Sequence, residues 1–188
     1  WEGGTNGLPL QNATTTGYYL KKYVNNTISF EAGSTVTKKQ HNWVLFRYGE
    51  ILLNYAEAMI NAFHDPNYKD AVYHLSARQA VNQIRGRTNI SLPGFPSDIT
   101  EKDFVKRLKN ERRVELAFEG HRFWDVRRWK ELGQTANIYG VKITKNNEVI
   151  SYEKFLLETR AVTDNMYFYP IPNTERFKNP NLGQNPGW

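Results

Sequence analysis

One stretch, Glu111–Trp129, reading ERRVELAFEGHRFWDVRRW, restricts the possible folds more than any other part of the chain. Arg112, Arg113, Arg122, Arg127 and Arg128 are interleaved there with Glu111, Glu115 and Glu119 and with Phe118, Phe123, Trp124 and Trp129. A solvated helix has no use for two Trp, and a core accepts this many charges only when they are paired. The segment is therefore expected to be half-buried, to form two short helices that break at Gly120, and to pair its charges against neighbouring helices.

Glu111, Glu115 and Glu119 follow one another at intervals of four, which stacks them on one helix face. Such a column repels itself unless cations meet it. Arg107, Arg112 and Arg122 are close in sequence, and Arg85 and Arg87 could arrive from the preceding element. The bland reading is an ion-pair network that fixes helix register. The sharper one is a catalytic or metal-binding carboxylate cluster. None of His41, His64, His74 and His121 has a Glu three residues before it, so the metal motif of helical bundles is absent. His121, at the helix break, reads as a capping or hydrogen-bonded histidine rather than a base. No nucleophile elbow, zinc-protease motif or phosphate loop is present. The reading is of a protein that is not an enzyme and carries neither cofactor nor metal.

The rest of the chain supplies the neighbours. Residues 1–42 read as an irregular arm, Gly/Thr/Asn-rich at first, with an extended or strand-like piece at Gly17–Val24. Trp43–Phe63 reads as a helix with Leu45, Gly49, Leu52, Ala56, Ile60 and Phe63 on one face, the small Gly49 and Ala56 admitting a neighbouring helix. Beside that face Glu50, Asn54 and Glu57 make a polar stripe, with Arg47 one turn before Glu50. A second helix is expected from about Lys69 to Arg87, antiparallel to the first. Ser91–Asp98 is a Pro/Gly loop. Thr100 then caps a helix that runs to about Glu119 with Phe104, Leu108, Val114, Ala117 and Phe118 inward. His121–Glu131 follows, with Phe123, Trp124, Val126 and Trp129 inward. The predicted fold is mainly α: tandem tetratricopeptide-like helical hairpins over 43–131, then over 132–188 a small β-hairpin turning at Asn146-Asn147, a short strand at Met166–Tyr169 and a long irregular tail. Phe177, Leu182 and Trp188 are expected to lay that tail on the domain.

Net charge is +6, but the basic residues alternate with acids along 101–131, which disfavours a phosphate-tracking stripe and hence nucleic acid. There is no Cys, so disulfides and thiol chemistry are excluded for these residues. No run approaches the roughly 18 apolar residues of a membrane span. A chain opening at Trp1 reads as a piece of a longer protein.

Four separated motifs, RYGEILLNYAEAMINA (47–62), AVNQIRGR (80–87), ERRVELAFEGHRFWDVRRW (111–129) and YPIPNTERFKNPNLGQNPGW (169–188), occur in an order that closely resembles the C-terminal part of the SusD/RagB family. The resemblance implies a nutrient-binding, mostly glycan-binding, lipoprotein on the extracellular face of the outer membrane, working as a lid on a SusC-like TonB-dependent transporter. Its partners would be that transporter and an oligo- or polysaccharide, and its lipid anchor would lie outside this segment. It also implies that the helix pairs face the transporter while the glycan site lies on the less regular part. Trp1, Tyr18 and Tyr19, which precede the helices, are the ligand-binding candidates. The rival readings are a helical-repeat adaptor that binds only protein and, behind it, a glycoside hydrolase.

Overall fold

Leu52, Leu53, Ala56, Met59 and Ile60 recur at helical spacing, and the helix that carries them is the centre of the first half of the molecule. In the computed structural model, which describes residues 14–25, 27, 28, 38–147 and 149–188, this helix is α1, Tyr48–Phe63. It packs against both α2, Ala77–Arg85, and α3, Glu101–Glu115. Leu53 and Ala56 meet Ala77, Ala80, Val81 and Ile84 of α2 and Phe104 and Leu108 of α3 in one buried cluster, closed by Phe95, Ile99 and Leu116. Each fully buried Leu, Ile or Phe there contributes about 1.5–3 kcal/mol by leaving water. These elements belong to a compact unit, Thr37–Arg122.

The helix boundaries differ from the periodicity reading, each for a local reason. α1 starts at Tyr48 and not at Trp43, because Arg47 is extended (φ −144°, ψ 156°) and caps with no side-chain bond. Trp43 and Leu45 are left 83% and 74% exposed, so Leu45 is not part of the buried face. The helix stops at His64 in the left-handed region, its N–H bonded to the Ile60 carbonyl. α2 starts at Ala77 and not near Lys69. Ser76 and Gln79 form a reciprocal capping box, while Asp70 takes the N–H groups of Val72 and Tyr73 at 2.8 and 2.7 Å. Those two bonds offer residues 70–73 an alternative to the helix ladder. α3 starts where expected, with Thr100 accepting from the Asp103 N–H at 3.2 Å. It ends at Glu115, four residues early, and Val114 and Phe118 lie outward rather than inward.

The Ser91–Asp98 loop is held by one side chain. Asn82 Oδ1 accepts from the Phe95 N–H at 2.7 Å and its Nδ2 donates to the Phe95 carbonyl at 3.3 Å. This clamp seats the Phe95 ring edge-on against Phe104 at 5.8 Å.

The second unit comprises Phe123–Trp188 with residues before 37. α4, His121–Arg128, leads through a 3-10 turn into β1, Asn137–Asn146, and β2, Val149–Thr159. They pair antiparallel with a register shift between Ile138 and Tyr139, and the turn falls at Asn146-Asn147 as expected, with Asn147 at φ 52°. β2 is exposed along its described length. Met166–Tyr169 is not a strand: a 3-10 turn occupies Asp164–Tyr167. The tail contains one short helix, α5, Asn173–Lys178. The molecule is thus mainly helical with a small β-hairpin. The tail folds back through Trp188, whose indole N–H donates to the Asn165 and Phe168 carbonyls at 3.0 and 3.2 Å, although Phe177 projects outward.

Candidate functional site

The acidic column is met by guanidinium groups, two of which arrive from α2 and the turn after it. Arg85 Nη1 lies 2.5 Å from Glu111 Oε2. Arg87 is bidentate to Glu115, at 2.7 and 2.8 Å. The third is Arg47, which the spacing had set beside Glu50. Its Nη1 reaches Glu115 Oε1 at 2.6 Å, its Nε and Nη2 reach the Glu119 carboxylate at 2.7 and 2.8 Å, and Nη2 also bonds the Glu115 carbonyl at 2.6 Å. That last bond satisfies one of the carbonyls left open at the end of α3. Burial alone would push Glu115 up, but the bonds and charges of Arg87 and Arg47 hold its carboxyl below the usual carboxylate range. The bonds to Glu119 are the largest cause of a raised Arg47 pKa, against its own burial.

Gly49 makes room for this. A Cβ there would stand 2.8 Å from Arg47 Nη1 and 3.4 Å from Glu115 Oε1. The small residue thus serves the ion pair rather than a close helix approach. Of the other cations proposed for the column, Arg112 bonds Asn54 Oδ1 at 2.5 Å and Arg107 lies over the Phe95 ring at 5.9 Å. His121 Nε2 is 3.5 Å from the buried Glu50. A carboxylate pinned between guanidiniums is a poor general acid or nucleophile, since its proton affinity is depressed and its lone pairs are occupied. The column is a frame.

Of the candidate ligand residues, Trp1 lies outside the described residues. Tyr18 and Tyr19 are exposed and follow Gly17. The arm that carries them is seated on β1: the Val141 N–H donates to the Thr16 carbonyl at 2.8 Å. Thr14 Oγ1 donates to the Tyr18 carbonyl at 3.0 Å. Two glycines permit this seat. Gly17 has φ 75°, and a Cβ there would run into the Val141 carbonyl oxygen. Gly140 lies under the Phe155 ring, and its Cβ would be 2.6 Å from that ring and 3.0 Å from the Thr16 carbonyl oxygen.

A second aromatic group was not read from the sequence. Phe123 and Trp124, expected inward, are 39% and 59% exposed, and Tyr169 from the far side of the hairpin joins them at 60%. Phe123 meets Trp124 edge-on (4.9 Å, 84°) and Tyr169 nearly parallel (5.9 Å, 27°). Tyr169 stands at 59° to Trp124, 6.5 Å away. The Arg127 guanidinium lies 3.5 Å from the Phe123 ring centre, a cation–π contact worth about 0.5–1 kcal/mol at an exposed site. Arg127 Nη1 donates to the Phe123 carbonyl at 2.9 Å, while its Nε is shut off from water with no hydrogen-bond partner among the described residues. Asn185 Nδ2 holds the Tyr169 carbonyl at 2.6 Å, and Gln184 bonds both the N–H and the carbonyl of Ile171 at 2.8 and 3.0 Å. Three rings are therefore gathered by the returning tail, with their open area toward solvent. No signal in sequence spacing links 123–124 to 169.

Among the described residues no three of His, Cys, Asp and Glu gather to hold a metal ion. An open cleft of about 500 Å³ is lined by Arg87, Thr88, Asn89 and Ile90.

The sequence is 29% identical over 163 residues to SusD-like protein P2 of Formosa agariphila, covering 84% of this chain and 28% of that protein. It is 36% identical over 150 residues to SusD-like protein P38 of the same organism, covering 77% of this chain and 24% of that protein. The fold is similar to the crystal structure of a SusD-like protein from Bacteroides fragilis, at 33% identity and a TM-score of 0.63 over 78% of this chain and 26% of the other. The chain thus spans about a quarter of the length of these relatives. The sequence signature of the SusD family extends across residues 1–188, and with that match the chain belongs to the SusD family.

Proposed function

We propose that the protein is a non-catalytic, glycan-binding component of a TonB-dependent uptake system, held on the extracellular face of the outer membrane by a lipid anchor outside this segment and working with a SusC-like transporter. The observation that carries the reading is the family match over the whole chain. The geometry agrees with it on one point: the carboxylates that could have served a hydrolase are engaged by Arg47, Arg85 and Arg87. A glycosidase needs two carboxyl groups facing each other across a sugar. In this reading the arm of Trp1, Tyr18 and Tyr19 offers ring faces and polar edges to sugar, as carbohydrate sites require.

Calorimetry of the intact protein against a panel of oligosaccharides tests this. Saturable binding without release of reducing ends is expected. Hydrolysis that disappears in Glu115→Gln would favour the enzyme. A protein-only adaptor is the second reading, favoured by the outward run of Trp43, Leu45 and Phe46 ahead of α1, which suits a protein contact. Co-purification with the transporter and no sugar bound from the panel would select it.

A further inference from the structure

We propose that Phe123, Trp124 and Tyr169 form a sugar-stacking site separate from the Tyr18/Tyr19 arm, taking a pyranose ring whose axial C–H groups lie on an open face. The inference rests on the glycan-binding reading and says where one ring of the glycan would sit. Trp124 and Tyr169 keep more than half of their surface open, and they stand at 59° to each other. One flat, C–H-rich sugar face can lie on the open face of either ring, while the sugar hydroxyls point outward to water.

The patch is held together before any ligand arrives. The backbone at Tyr169 is held by the bond from Asn185 to its carbonyl and by the bonds from the Trp188 indole to the residues ahead of it, and its ring by contact with Phe123. Phe123 backs the other two rings, and Arg127 lies on it and puts a cation at the edge of the patch. Arg127 also lies 6.0 Å from the Tyr169 ring. Rings positioned in this way lose little rotamer freedom when a sugar stacks on them. The buried, unpartnered Nε of Arg127 is a donor for which the described residues offer no acceptor. Residues with all hydroxyls equatorial, as in gluco-configured chains, show axial C–H groups on both faces and should be preferred over manno-configured ones.

The test uses the intact protein with glucose, xylose and mannose hexasaccharides, measured by calorimetry and by Trp fluorescence. Trp124→Ala and Tyr169→Ala are each expected to weaken binding of the best glucose hexasaccharide at least tenfold. Trp124→Phe and Tyr169→Phe, which keep a ring, are expected to stay within about threefold of wild type, and circular dichroism should be unchanged in all four. If wild type binds a hexasaccharide and the two Ala variants bind it equally well, the stacking site is overturned while the glycan-binding reading stands. If wild type binds none, the broader reading fails and this inference falls with it. Loss of transporter co-purification in Trp124→Ala with sugar binding intact would make the patch a protein contact and overturn the proposal.

Discussion

The α1–α3 cluster and the residues from Phe123 onward make different use of the same residue types. In the first, Arg and Glu are turned inward and tied, and the aromatic Phe95 and Phe104 are buried. In the second, Arg127 lies on a ring near the surface, and Trp124, Tyr152 and Tyr169 face outward. Among the described residues past Phe123 only Val126 and Leu132 are fully buried apolar side chains, against fourteen residues in the α1–α3 cluster. Aromatic content by itself therefore says little about where a core lies. What separates the two regions is whether a neighbouring helix supplies a face for the rings to fill. The first is built to keep its shape. The second presents ring surface, as the stretch ahead of α1 does at Trp43 and Phe46, and ring surface is what recognition needs.

The largest test of this contrast compares one Phe from each region. Phe104→Ala should cost about 4 kcal/mol, because the ring is fully buried beside Phe95, whereas Phe155→Ala should cost under about 1 kcal/mol. Urea unfolding of the two variants measures the difference, and equal costs would erase the contrast. The next effect is on the tied charges. Arg47→Met should cost about 3 kcal/mol, since it removes the guanidinium that Glu115 and Glu119 share in a half-buried site and leaves Arg87 in place on Glu115. The same change at Arg127 should cost about 1 kcal/mol or less.

Gly17→Ala should act locally. The added carbon meets the Val141 carbonyl at a positive φ, which costs about 2 kcal/mol or more, so the arm should leave β1 while the α1–α3 unit stays folded. Chymotrypsin should then cut at Tyr18 or Tyr19 at least about tenfold faster with little change in the main unfolding transition. Acid gives a smaller effect with a fixed sign. The Glu115 carboxyl is held below its ordinary range, so its contribution is complete at neutral pH and is withdrawn as pH falls below about 4. Glu115→Gln should flatten that part of the stability–pH curve. Asn147→Gly, at φ 52°, should change stability least, by about 0.5 kcal/mol in favour of the variant, seen as a small rise in the hairpin's urea midpoint.

The sequence carried the helical class, the Thr100 cap, the Pro/Gly loop, the Asn146-Asn147 turn and the frame role of the Glu111–Glu119 column. The cap, the loop and the turn have local causes written within a few residues, while of the column only its self-repulsion is local and its cations come from Arg47, Arg85 and Arg87. The start of α1 was not legible, because Arg47 turns away from helix geometry to reach residues about seventy positions later. The start of α2 is legible in Ser76 and Gln79, which spell a capping box, and in Asp70, which marks the competing turn before it; apolar periodicity alone extends the helix too far back. Apolarity alone puts Val114 and Phe118 inward, but in α3 the inward positions at that level go to Glu111 and Arg112. The trio of Phe123, Trp124 and Tyr169 depends on a tail that doubles back, and nothing near 123 or 169 encodes that return.

Glu115 receives Arg47 from just ahead of α1 and Arg87 from just past α2, and it is itself the last residue of α3. Helix ends ordinarily fray first, each by its own small opening. Here three ends share one knot, so none can loosen without disturbing the other two. Amide exchange at the start of α1 and the finish of α2 and α3 should slow together and collapse together in Glu115→Gln, which would turn the usual weak points of a helical array into its slowest-opening seam.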